Sequence, residues 1–316
     1  MADTRIEWAH KVWNPITGCS PVSEGCQNCY ARRMANRLRG RCGYPKENPF
    51  KVTLHPERLG EPLKWRKPRK VFVCSMSDLF HPDVPFDYIT QVFDVMCSWR
   101  WPNKEAERIG DESLLEDPGH TYMVLTKRPE RVQDWLQWLS EYWPGDSPVN
   151  VNLSVEGHFG RHIWFGVTAE NQQRADERIP VLLQIPAAVR FVSVEPMLSP
   201  VKLILARRYC TNCNYLHWSY NPAGSGFVYK EVYCPECGFA YGYHSPEGNS
   251  SIDWVICGSE SGQNRRPANI EWIRSLKNQC VDADVPFFLK QMEINGRLVK
   301  MPKLDGQVWD QMPEVE

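Results

Sequence analysis

The chain is constrained most by one recurring pattern: a short run of apolar, β-branched and aromatic residues breaks off into polar ones, and a longer amphipathic stretch follows. The runs are Lys70-Val71-Phe72-Val73-Cys74 into Ser75-Met76-Ser77-Asp78, Tyr122-Met123-Val124-Leu125 into Thr126-Lys127-Arg128, and Ile163-Trp164-Phe165-Gly166-Val167 into Thr168-Ala169-Glu170-Asn171. The same form returns at Val189-Arg190-Phe191-Val192-Ser193-Val194 into Glu195-Pro196, Trp254-Val255-Ile256-Cys257 into Gly258-Ser259-Glu260-Ser261, and Val285-Pro286-Phe287-Phe288-Leu289 into Lys290-Gln291. Near-continuous apolar strands suit a parallel sheet covered on both faces, where every side chain meets a layer of helices. With Val12-Trp13-Asn14-Pro15 they make about seven strands, which favours an α/β fold, a βα barrel or a doubly wound sheet, over a sandwich. In such a barrel the active site lies at the C-terminal strand ends, where each run here turns polar.

Between the runs, residues 87–96 carry apolar side chains at helical spacing, and 129–139 opens on a proline suited to a first helical turn. Segments 100–120 and 141–160 are rich in charge, Pro and Gly and read as surface insertions. Lys and Arg number 37 against 38 Asp and Glu, so the chain is no polycation and any nucleic-acid site must be a local patch. Two such patches stand out: Lys64-Trp65-Arg66-Lys67-Pro68-Arg69-Lys70, and the arginines 32, 33, 37, 39 and 41. There is no stretch of about 18 apolar residues, and the opening Met1-Ala2-Asp3-Thr4-Arg5-Ile6-Glu7 lacks the apolar core of a signal peptide. The expected compartment is the cytoplasm, with no membrane partner.

In a reducing compartment the 12 cysteines are expected to be metal ligands or small buried residues. Cys210-Thr211-Asn212-Cys213 and Cys234-Pro235-Glu236-Cys237, twenty residues apart, have the spacing of a zinc ribbon whose four thiolates close a structural tetrahedron. The ribbon interrupts the βα alternation, so the expected organisation is a barrel over 1–206, a zinc-ribbon insertion over 207–250, and the barrel's last part with a C-terminal tail over 251–316. Cys19, Cys26 and Cys29 differ: they put three thiolates on one short loop with no fourth nearby, which is how a chain holds an iron–sulfur cluster with one corner open. A structural zinc completed by His10 or His55 is the rival reading of those three. Cys74 and Cys257, inside apolar runs, read as small hydrophobes or hydrogen-atom donors, and Cys42, Cys97 and Cys280 as inert.

Eight segments, in order, carry a resemblance: Trp13-Asn14-Pro15, Gly18-Cys19 through Cys29-Tyr30-Ala31, Trp65-Arg66-Lys67-Pro68, Ser75-Met76-Ser77-Asp78-Leu79-Phe80-His81, Leu125-Thr126-Lys127-Arg128-Pro129-Glu130-Arg131, Ala175-Asp176-Glu177-Arg178-Ile179-Pro180, Ser193-Val194-Glu195-Pro196 and Gly258-Ser259-Glu260-Ser261-Gly262. Together they resemble a phage-associated family of radical S-adenosylmethionine (SAM) proteins, some of them encoded beside proteins called three-Cys-motif partners. The resemblance spans nearly the whole chain except the ribbon and the insertions around it. The cysteine spacing is C-x6-C-x2-C where radical SAM proteins commonly have C-x3-C-x2-C, and Asn28 stands where an aromatic residue is usual, with Tyr30 following.

The resemblance implies that Cys19, Cys26 and Cys29 bind three irons of a 4Fe-4S cluster whose fourth iron chelates SAM. One-electron cleavage of the sulfonium then gives a 5′-deoxyadenosyl radical that takes hydrogen from substrate. It further implies cofactor contacts from Tyr30, Ser75, Ser77, Asp78, Thr126, Lys127, Glu170, Ser193, Glu195, Ser259 and Glu260, and substrate contacts from Arg128, Asn171, Lys290 and Gln291. The expected function is radical SAM chemistry on a modified base in phage DNA, in the host cytoplasm, with a reductase or flavodoxin-type electron donor. A protein or small-molecule substrate, and a non-catalytic metal-stabilised nucleic-acid-binding protein, are the alternatives.

Overall fold

The computed structural model describes residues 4, 6–98, 119–203, 205–209, 216–219, 231–233, 240–242, 252–262 and 264–314. The fold is α/β, a partial, TIM-like βα barrel built on an eight-stranded, mostly parallel sheet. The chain divides into two compact units, residues 1–167 with 185–189, and residues 168–184 with 190–316.

In the first unit the strands are β1 (Lys11–Trp13), β2 (Ile16–Thr17), β3 (Thr53–Leu54), β4 (Lys70–Val73), β5 (Thr121–Thr126) and β6 (Ile163–Thr168). Strands β1, β4, β5 and β6 lie side by side and parallel, with Trp13 opposite Val73, Val73 opposite Val124 and Val124 opposite Phe165, while β2 and β3 form a small antiparallel pair. All six residues of β6 are buried, as the unbroken apolar run requires.

The helices of this unit are α1 (Tyr30–Arg37), α2 (Phe86–Ser98), α3 (Glu130–Tyr142) and α4 (Pro148–Glu156). α2 buries Ile89, Val92, Phe93 and Met96, and α3 buries Val132, Trp135 and Leu139, each set one stripe at helical spacing. The stripes meet in an aromatic core where the Trp135 ring lies 4.5 Å from that of Phe93 and 5.8 Å from that of Phe80. Its indole N–H donates to Thr90 Oγ1 at 2.9 Å, so the one polar atom of the ring is satisfied.

Segment 141–160 is no mere surface insertion. It holds α4, started by Ser147, whose hydroxyl accepts from the Asn150 amide, and by Pro148 at the first helical position. Val149 and Phe159 are fully buried, and the Val149 amide donates to Asp94. Pro and Gly content suggested a loop, but the Ser-Pro pair is a helix start and the glycine at 157 is its left-handed C-cap. Of the other expected insertion, residues 100–118 lie outside the described residues, whereas His120 is buried and accepts from the Arg69 amide.

The second unit holds α5 (Gln172–Leu182), β7 (Val189–Val194), β8 (Ala206–Tyr209), β9 (Leu216–Ser219), β10 (Glu231–Tyr233), β11 (Ala240–Gly242), β12 (Trp254–Gly258), α6 (Ile270–Asp282) and β13 (Phe287–Ile294). Three short strands complete it: β14 (Arg297–Lys300), β15 (Lys303–Leu304) and β16 (Gln307–Val308). β7, β12 and β13 are parallel neighbours, and β14 folds back antiparallel on β13. Strand β13 runs on through Lys290 and Gln291 to Ile294, so the polar residues expected just past a strand lie within one. β8 pairs with β9 and β10 with β11, both antiparallel. Among the described residues no helix is long and apolar enough to cross a membrane.

Candidate functional site

The cysteine loop is fixed at both ends. It begins at Gly18, whose φ of +86° belongs to glycine and whose added Cβ would lie 2.1 Å from the Lys51 carbonyl oxygen. Gly18 bridges Ser77 in a parallel pairing and its amide donates to the Met76 carbonyl, so the loop leaves from beside the end of β4. The Cys19 amide donates to Phe50 O at 3.2 Å. Cys26 ends a single 3-10 turn, and Cys29 is the residue that opens α1. That helix docks Ala31 and Ala35 against Tyr44 and Met76, with Cys29 and Phe50 packed alongside. All three cysteines are free and half-buried.

Around Cys19 lies a network that joins the loop to two strand ends. Asp78, just past β4, accepts from Thr126 Oγ1 at 2.7 Å and the Phe80 amide at 3.1 Å on one oxygen, and from the Lys127 amide at 3.1 Å and Arg128 Nη1 at 2.9 Å on the other. Arg128 Nη1 also reaches Cys19 Sγ at 3.7 Å, and Nη2 donates to Ser20 O at 2.9 Å and Ser20 Oγ at 3.3 Å. The Arg128 and Asp78 side chains are only 7% and 8% exposed, so this is a buried ion pair with its hydrogen bonds filled. His81 Nδ1 accepts from the Asp83 amide, which leaves the ring proton on Nε2 to donate to Ser20 Oγ at 2.7 Å. Burial and the nearby Arg128 charge hold the His81 imidazole below its usual pKa, in keeping with that neutral ring.

The thiols differ electrostatically. Burial, with the Asp78 charge, pushes Cys19 up to about 11 despite Arg128. At Cys26 burial acts upward too, but the Lys127 charge and hydrogen bonds from Val22 and Ser23 outweigh it and the pKa falls. The loop therefore presents one thiol tied to a guanidinium and one poised toward thiolate.

The residues expected to meet a cofactor are largely engaged with the protein itself. Tyr30 donates its hydroxyl to the Ser75 carbonyl, Ser75 Oγ to Asn14 Oδ1, and Ser77 Oγ to the Ile16 carbonyl, which braces the end of β4 against β1 and β2. Asp78 has four donors on its two oxygens, and Thr126 and the Lys127 amide supply two of them.

In the second unit Glu170 is fully buried and bonded at 2.8 Å to Arg178 Nη1, which also donates to Thr168 O at 2.7 Å. Asn171 caps α5 by accepting from the Arg174 amide. Ser193 is buried in β7 and its carbonyl accepts from the Ala169 amide. Glu195 pairs with Lys290 Nζ at 2.7 Å and receives Gln291 Nε2 at 3.3 Å, and that amide also donates to Ser259 O at 2.8 Å. Glu260 holds Arg266 through the guanidinium and the backbone amide. Ser259 is 1% exposed and its hydroxyl has no partner in the described structure.

Sequence reasoning missed Ser20, His81, Arg178 and Arg266. Ser20 follows a cysteine, and Arg178 stands eight residues after Glu170 on the inward stripe of α5, which is the signal that could have paired it. Arg266 and His81 carried no such local mark.

Among the described residues no three His, Cys, Asp or Glu side chains are gathered closely enough to hold a single metal ion. His55 Nε2 is bonded to Thr17 Oγ1, and His10 Nδ1 accepts from the Lys70 amide. Three free, half-buried thiols on one loop, with Arg128 and Lys127 as charged neighbours, are the donor type that an iron–sulfur cluster takes. Cys210, Cys213, Cys234 and Cys237 lie outside the described residues.

The chain belongs to the family described as proteins of unknown function, DUF5131, which it matches over residues 3–313. No curated protein matches the chain. No solved structure matches it either.

Proposed function

We propose that this DUF5131 protein is a radical SAM enzyme. Cys19, Cys26 and Cys29 would hold a 4Fe-4S cluster that, when bound with SAM at its open iron, supplies one-electron cleavage of the sulfonium. The observation that carries the reading is the seat of the cysteine loop: it is hydrogen-bonded to the end of β4 at Met76 and, through Arg128, to the end of β5, at the C-terminal strand ends of a partial βα barrel. The chain's own residues do the holding. Asp78 orients Arg128, Arg128 and His81 fix Ser20, and Lys127 favours the thiolate of Cys26. The half-buried setting limits water at the thiols.

The substrate we propose is a nucleic-acid base, in line with a modified pyrimidine in phage DNA. Its support is charge: Arg33, Arg37, Arg39 and Arg41 on and after α1, and Lys64, Arg66 and Lys67 before β4, are exposed in the same unit as the cysteine loop. A zinc in the ribbon would have a structural role. The reading rests on the C-x2-C spacing of the two cysteine pairs. An electron would come from a reductase or flavodoxin-type donor.

Anaerobic reconstitution with iron and sulfide tests the reading. A brown protein that cleaves SAM under reduction is expected; zinc alone at both cysteine groups would refute it. DNA from the protein's own source, incubated with the reduced enzyme and SAM, should release a nucleoside of altered mass. A mass change found only on a peptide or small molecule would replace the base as substrate and leave the radical chemistry standing.

A further inference from the structure

We propose that Arg128 is a positioning residue for the cysteine site, which fixes Cys19 and stabilises the reduced state of a cluster held there; this rests on the reading above. A guanidinium carries five donors in a rigid plane. Here it meets three residues through four acceptor atoms: Nη1 faces Asp78 at 2.9 Å and Cys19 Sγ at 3.7 Å, and Nη2 faces Ser20 through both its carbonyl and its hydroxyl.

Asp78 does more than neutralise it. With Thr126 Oγ1 and the Phe80 and Lys127 amides already on the carboxylate, the aspartate is locked, and it holds the guanidinium where it meets the cysteine loop. Among the described residues Nη2 bonds the loop alone, so the arginine is directed toward that segment as well as toward its counter-ion.

Two consequences follow from elementary electrostatics. A cationic donor on a thiolate sulfur draws electron density from the metal it ligates, and so favours the state that carries one more negative charge, which is the reduced cluster. Fixing Ser20 fixes its neighbour Cys19 before metal arrives, and outer partners of this kind change metal affinity by about 10–100-fold. A lysine could keep the charge opposite Asp78 but could not also span Cys19 and both oxygens of Ser20.

The test compares the full-length wild type with Arg128→Gln and Arg128→Lys, all reconstituted anaerobically with iron and sulfide and checked for folding by thermal melt. Cluster retention against a ferrous chelator is followed by absorbance, and the midpoint potential by electron paramagnetic resonance in a dithionite titration. In Arg128→Gln retention should fall about 10–100-fold. The ratio of reduced to oxidised cluster at fixed poise should fall about tenfold, equivalent to ~59 mV to the negative for one electron. Arg128→Lys, which keeps a buried cation opposite Asp78 and hence the fold, should lose retention while keeping more of the potential. Variants that match wild type in both measurements overturn the proposal and leave the proposed function intact. A wild type that takes up no iron overturns both.

Discussion

Glu170 is the residue whose replacement best separates a scaffold role from a ligand contact. Its carboxylate has no solvent exposure and lies 2.8 Å from Arg178 Nη1, itself 6% exposed, and the same nitrogen donates to Thr168 O at 2.7 Å. At an effective dielectric of about 20, opposite charges at that separation attract by roughly 6 kcal/mol, and desolvation of both ions offsets much of this. Removing one partner strands the other, at a cost of about 3–5 kcal/mol. For a unit of this size each kcal/mol moves the melting temperature by about 2–4 °C, so Glu170→Ala should melt roughly 6–20 °C lower. Glu170→Leu combined with Arg178→Met removes both charges and should recover much of that loss, giving a large coupling in a double-mutant cycle by thermal and urea unfolding. If Glu170→Ala instead melts within a degree or two of wild type while SAM binding disappears, the carboxylate contacts the cofactor and the structural reasoning is wrong.

Gly18→Ala should displace the cysteine loop, because the residue adopts φ +86° and its Cβ would meet the Lys51 carbonyl; iron uptake reduced severalfold with the secondary structure unchanged is the expected result, and normal uptake would refute it. Alkylation mapped by mass spectrometry at pH 8 should label exposed Cys42 and lowered-pKa Cys26 first. Cys74, buried and pushed up to about 12, and Cys257 and Cys280, raised further by burial, should stay unlabelled until unfolding. His55 and His81 have folded pKa values held below the ordinary imidazole value by burial and neighbouring arginines. The unfolded chain therefore binds more protons just below pH ~6.5, and stability falls as pH drops through that range toward the folded values. The melting temperature should decline between pH 7 and pH 5 more steeply in wild type than in His55→Gln/His81→Gln; equal slopes would refute the assignment.

Much of the first unit was legible because its signals are local. The apolar runs at Tyr122 and Ile163 became β5 and β6 within a residue of the expected bounds, since continuous burial on both faces leaves a continuous apolar string. α2 and α3 followed from a stripe repeated every turn. α4 was obscured because its start is a cap, Ser147, and its composition looks like a loop. The cysteine loop and the polar strand ends could be named from the sequence, but the bonds among them could not: that Asp78, held by Thr126, frames Arg128 depends on two strand ends meeting in space.

The sequence by itself determined the main parallel strands and that three thiols share one loop, because each of these depends on neighbours a few positions away. Tertiary structure decided the partners. Asp78 meets Arg128 fifty residues on, and Arg128 meets Cys19 across 109 residues, because adjacent parallel strands bring their ends together whatever their separation along the chain. A buried carboxylate must find a cation and filled hydrogen bonds, and that need is met by whichever strand end lies alongside.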